Sequence, residues 1–101
     1  MSAAPIRIQL VQAGDIIDFP DDDDGGRFTR IESSLIALGL QQTRTVESPL
    51  ETLSLLGRGP LVVTLYWDGF LTSLRLQTGD APDFATLFAE MAGSAMFRAG
   101  T

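Results

Sequence analysis

Residues 61–67 read Leu-Val-Val-Thr-Leu-Tyr-Trp and residues 70–76 read Phe-Leu-Thr-Ser-Leu-Arg-Leu, with only Asp68-Gly69 between them. Two runs rich in β-branched and aromatic residues joined by Asp-Gly are the strongest short-range signal for an antiparallel hairpin. Both loop residues tolerate the positive φ angles of a type I′ turn. A two-residue loop pairs Trp67 with Phe70, Leu65 with Thr72 and Val63 with Leu74, and paired side chains share a face. One face then carries Leu61, Val63, Leu65, Trp67, Phe70, Thr72, Leu74 and Leu76, the expected core side, and Trp67 is read as core. The other carries Val62, Thr64, Tyr66, Leu71, Ser73 and Arg75.

An apolar sheet face must be covered. Phe84, Leu87, Phe88, Met91, Ala92, Ala95 and Met96 recur at three and four residues, the stripe of an amphipathic helix. Asp80 or Asp83 is its expected cap, with Pro82 in its first turn. A stripe containing Met91 and Met96 could also dock a partner, but the hairpin's own core face is the simpler use. Upstream, Ile6, Ile8 and Leu10 alternate with Arg7 and Gln9, which predicts a strand over 6–12. Ile16, Ile17 and Phe19 are apolar, but Pro20 argues against a regular continuation.

Thr29 and Glu32 have capping-box spacing, and Ile31, Leu35 and Leu38 form a stripe that Gly39 ends, predicting a helix over 30–38. Leu40–Glu47 reads as an edge strand. Ser48-Pro-Leu-Glu51 repeats the capping signal, and Leu50, Leu53 and Leu56 with Gly57 predict a short helix. The expected fold is a single α+β domain over 1–101. It has an about four-stranded, mostly antiparallel sheet in the order strand, helix, strand, short helix, hairpin, helix, with the helices mainly on one face.

The chain contains no cysteine and no histidine. Disulfides, thiolate metal sites, cysteine nucleophiles and the usual neutral-pH general base are therefore excluded. Net charge is −6, and the seven basic residues are all arginine, scattered from Arg7 to Arg98. That disfavours binding to a phosphate backbone, which needs clustered positive charge. Lysine and asparagine are absent as well, which points to a GC-rich bacterial genome. No apolar run has the roughly 18 residues of a membrane helix, and no basic-then-apolar leader precedes Ile6, so the reading is cytoplasmic with no membrane partner.

A carboxylate-only enzyme would draw on Asp18, Asp68, Asp80 and Asp83. Asp68 is better used in the turn, Asp80 and Asp83 as caps, and a chain this short has little room for a cleft. The expectation is a non-catalytic protein with no cofactor. The most specific pattern is Asp21-Asp-Asp-Asp-Gly-Gly-Arg-Phe-Thr-Arg-Ile-Glu32. Set on a twelve-residue calcium loop, it places Asp21, Asp23 and Glu32 as ligands and Gly26 at the sharp turn. Gly25 falls where a further side-chain oxygen belongs, Pro20 sits where a helix should enter, and there is no second copy. Calcium binding is thus the alternative, and residues 21–26 read first as a mobile acidic loop.

The favoured expectation is a protein-binding module, a small bacterial inhibitor, immunity or adaptor protein acting on a basic protein partner. Asp21, Asp22, Asp23 and Asp24 would steer, and Tyr66, Leu71 and Arg75 on the second hairpin face would anchor. A homodimer, or a subunit of a larger secretion or phage-type assembly, is compatible with the same surface.

Overall fold

The computed structural model describes residues 4–22 and 25–100. The described elements follow the order β1 Ile6–Leu10, β2 Ile16–Phe19, α1 Phe28–Ala37, β3 Gln41–Glu47, β4 Thr52–Arg58, β5 Leu61–Trp67, β6 Thr72–Thr78, α2 Ala81–Ala92 and β7 Phe97–Ala99. The strands form one seven-stranded sheet in the order β3-β4-β5-β6-β2-β1-β7. It is mixed, because β7 runs parallel to β1 while the other pairs are antiparallel. The α+β class is compatible with this architecture, but the four-stranded antiparallel sheet is overturned.

Three strands account for the difference. The expected short helix after Ser48 is instead β4, paired on both sides by β3 and β5. The capping signal is real but is used to close a hairpin. The Ser48 N–H donates to the Glu51 carbonyl at 2.8 Å, and the Ser48 hydroxyl accepts from the Glu51 N–H at 3.1 Å. Ile16–Phe19 forms β2 between β6 and β1, so Pro20 ends a strand here and does not prevent one. After α2 the chain returns as β7, and Ala95 and Met96 fall outside the helix.

The hairpin exists with its register moved by two residues. Trp67 lies opposite Thr72, Leu65 opposite Leu74 and Val63 opposite Leu76. The connection is the four residues Asp68–Leu71. The Asp68 N–H donates to the Leu71 carbonyl at 3.3 Å, and the Asp68 carboxylate accepts from the Phe70 and Leu71 N–H groups at 2.9 and 3.0 Å. Gly69 alone in this loop has a positive φ, so the type I′ turn, which needs two, is excluded. An even shift keeps each remaining strand residue on its expected face and moves Phe70 and Leu71 into the loop, Phe70 from expected core to 79% exposed.

Ile6, Ile8, Ile17, Phe19, Leu56, Leu61, Val63, Leu65 and Leu74 cover one sheet face and form a single core with Phe28, Ile31 and Leu35 of α1 and Phe84, Leu87 and Met91 of α2. Both helices therefore pack on the same side. Asp80 caps α2 by accepting from the Asp83 N–H at 3.0 Å, as its position suggests. α1 begins before the expected capping box. The Asp22 carboxylate accepts from the Arg27 N–H at 2.9 Å, and Thr29 lies within the first turn. Arg58 links the helices, donating to the Leu38 carbonyl at 2.9 Å and pairing with Glu90 at 2.7 Å. No helix among the described residues is long and apolar enough to cross a membrane.

Candidate functional site

With both helices on one side, the opposite sheet face carries no layer of described secondary structure. The registers build two rows across it. One runs Val46, Leu53, Tyr66, Ser73, Asp18 and Gln9, and the other Arg44, Leu55, Thr64, Arg75 and Ile16. Two of the expected anchors, Tyr66 and Arg75, meet here, while Leu71 lies in the loop before β6. The Arg75 guanidinium lies over the Tyr66 ring at 4.9 Å from its centroid and donates through Nε to Ser73 Oγ at 3.2 Å. The Tyr66 hydroxyl donates to Glu51 Oε2 at 2.7 Å, across from β5 to the loop before β4.

That hydrogen bond, reinforced by burial and by the Glu51 charge, holds the Tyr66 phenol above its usual titration range. A raised value means the neutral phenol is the form the fold favours. The contact is complete below the ordinary phenol pKa and is lost as pH rises through the elevated one. Tyr66 is the only tyrosine, so tyrosinate absorbance follows it alone. The titration midpoint should lie above that of a free phenol, and Glu51→Gln should bring it down. An unchanged midpoint in the variant would remove Glu51 as the cause.

The strongest apolar exposure lies at the end of this face, in two loops of matching design. Ser48-Pro-Leu50-Glu51 joins β3 to β4, and Asp68-Gly-Phe70-Leu71 joins β5 to β6. Each opens with a side-chain acceptor for the backbone N–H three residues on, continues with a turn-forming residue, and places a large apolar side chain third. Leu50 and Phe70 are both 79% exposed, Leu71 is 44% exposed and Val46 41%. The loops touch, since a Cβ on Gly69 would stand 3.2 Å from the Leu50 carbonyl oxygen. Glu47, Glu51 and Asp68 belong to the same loops and their flanks. The Leu71 and Phe70 N–H groups hold the Asp68 carboxyl below its usual range, so it stays charged here.

Leu50 and Phe70 were not expected to be surface residues. The spacing puts Leu50 in a helical stripe and Phe70 on the core side of a two-residue hairpin. The repeated loop grammar was the available signal, because an apolar residue third in a four-residue hairpin loop has no strand neighbour to cover it.

Two aspartates of the acidic segment have partners within the fold. Asp21 pairs with Arg7 at 3.1 Å, and its carbonyl accepts from Arg27 Nη1 at 2.6 Å. Asp22 is fully buried, and its second oxygen accepts from the Thr72 hydroxyl at 2.6 Å. Asp23 and Asp24 lie outside the described residues. Of the calcium set, Asp21 is engaged by Arg7 of β1, while Glu32 accepts from Gln42 of β3 at 2.8 Å. The described residues contain no group of three or more carboxylates that could hold a metal ion. What the exposed surface offers is apolar contact flanked by fixed negative charge. Comparison with protein-family models, with curated proteins and with solved structures finds no match to this chain.

Proposed function

We propose that this chain is a non-catalytic protein-binding module that seats the paired tips Leu50 and Phe70 in an apolar recess of a partner with a basic surface. In class it is a small acidic inhibitor, immunity or adaptor protein. The observation that carries the reading is the exposure of two large apolar side chains, 79% each, on touching loops that also bear Glu47, Glu51 and Asp68. An apolar centre with a polar rim is the anatomy of an interface. The contact continues onto the open sheet face through Leu71, Val46, Leu53 and Tyr66, enough to extend two anchors into a patch. The net charge of −6 gives the rim its long-range counterpart.

The two groups act on different rates. Phe70→Ala should raise the dissociation rate about thirtyfold, the effect of losing a hot-spot aromatic of about 2 kcal/mol. Its melting curve should stay within about 0.5 kcal/mol of the parent, as for other exposed positions. Glu47→Gln with Glu51→Gln should mainly slow association and flatten its salt dependence. Binding kinetics at two salt concentrations, on the partner captured from the native cells, separate these effects. A Phe70→Ala variant that binds as the parent does would refute the proposal.

A further inference from the structure

We infer that the recess between the start of β1, the first turn of α1 and β7 is a binding site for a phosphate monoester. It is a cavity of about 460 Å³ whose wall includes Arg27, Arg30 and Arg98 and one carboxylate, Asp21. In a chain of net charge −6 with seven basic residues, three arginines in one concavity is a concentrated positive field. Among the described residues no ion pair neutralises it. The described ion pairs join Arg7 to Asp21 and Arg58 to Glu90, and none of the three wall arginines has a carboxylate within ion-pair distance among the described residues.

Arg27 and Arg30 have partners of a different kind. Arg30 Nη2 donates to the Ala4 carbonyl at 2.8 Å, and Arg27 Nη1 to the Asp21 carbonyl at 2.6 Å. A carbonyl fixes a guanidinium without cancelling its charge and uses one of five N–H donors. Arg98 lies beside Arg7 in the parallel register of β7 on β1. Gly100 leaves room for both, since a Cβ there would come within 2.8 Å of Arg98 Nη1 and 3.3 Å of Arg7 Cδ. Behind the wall, Arg7 Nε is buried with no hydrogen-bond partner among the described residues.

Three guanidiniums in one wall, two of them oriented by carbonyls, against one already paired carboxylate suit a dianion with several acceptor oxygens better than a lone carboxylate, which engages a single fork. The volume exceeds that of a bare phosphate and leaves space for the group esterified to it. A nucleic-acid backbone is not the fit, because the positive field is confined to one recess of an acidic surface.

The test follows the arginine Nε–H signals of labelled protein by NMR during titration with inorganic phosphate, phosphoserine, acetate and sodium chloride at matched ionic strength. Saturable shifts at Arg27, Arg30 and Arg98 are expected with phosphoserine and more weakly with inorganic phosphate, and at least about tenfold weaker binding with acetate. Arg98→Gln, on an exposed three-residue edge strand, should weaken phosphoserine binding about tenfold with an unchanged circular dichroism spectrum, and Arg30→Gln should act likewise. Shifts that rise linearly and equally with chloride would overturn the site, as would an affinity untouched by Arg98→Gln. Binding of inorganic phosphate that excludes phosphoserine would overturn the ester assignment.

Discussion

Asp22→Ala should destabilise the domain by about 3 kcal/mol, although Asp22 sits in a run of four aspartates that reads as part of a mobile acidic loop. Its carboxylate is fully buried and accepts from the Thr72 hydroxyl and the Arg27 N–H. Thr72 is itself fully buried, so its hydroxyl would find no water to replace the lost acceptor. Each donor left unsatisfied in such a place costs about 1–3 kcal/mol. Asp22→Asn keeps an acceptor for Arg27 and can donate to Thr72, and should cost about half as much. Thr72→Val removes the other side of the contact. Urea unfolding of the two single variants and the pair should give a coupling of about 1–2 kcal/mol, because the second change removes nothing new. Additive effects would show that the pair does not interact.

Gly25→Ala should be comparably damaging, at about 3 kcal/mol, for two independent reasons. The residue has a φ of +74°, where a side chain costs about 1–3 kcal/mol. A Cβ would also stand 2.9 Å from Cδ2 and 3.0 Å from Cε2 of Trp67, within a rigid ring that has no flexible end to yield. Asparagine separates the causes, since it tolerates positive φ but carries the same Cβ. If the indole contact dominates, Gly25→Asn should be nearly as unstable as Gly25→Ala. If backbone strain dominates, it should recover most of the loss. Trp67 is the only tryptophan, so its fluorescence should shift in the folded variants under the first outcome and stay unchanged under the second.

Together these contacts hold Asp22 on Thr72 of β6 and Gly25 against Trp67 of β5. Local pattern could not show this. Asp22 and Thr72 are 50 residues apart, and nothing in a run of aspartates marks Asp22 as buried.

Where one local signal dominated, the fold was legible. Ile6, Ile8 and Leu10 alternate on a strand with one face in the core, and Phe84, Leu87 and Met91 line a helix with one buried stripe. β4 is illegible in the sequence for the opposite reason. It lies between two other strands with Ser54 and Leu56 buried toward the helices and Leu53 and Leu55 half-buried on the open face. With apolar residues on both faces its period of two disappears, and a chance three-residue spacing from Leu50 takes its place. The hairpin was legible in kind and wrong in register, because Asp68 uses its carboxylate as a cap on Phe70 and Leu71 and so sets a four-residue loop. That one shift hid Phe70 from the candidate surface. Tyr66 and Arg75 stayed together because a shift of two preserves sheet faces.

A photo-crosslinking residue placed at position 70 in the native cells tests the binding surface most directly, with Thr86, exposed on α2, as the control position. The account predicts one dominant adduct at position 70, with a protein other than this chain that presents a basic surface, and no such adduct from position 86. Loss of that adduct in a Leu50→Ser background would tie it to the paired loop tips. The account is contradicted if position 70 gives no adduct while position 86 does, if the captured protein is acidic, or if the adduct is a second copy of this chain.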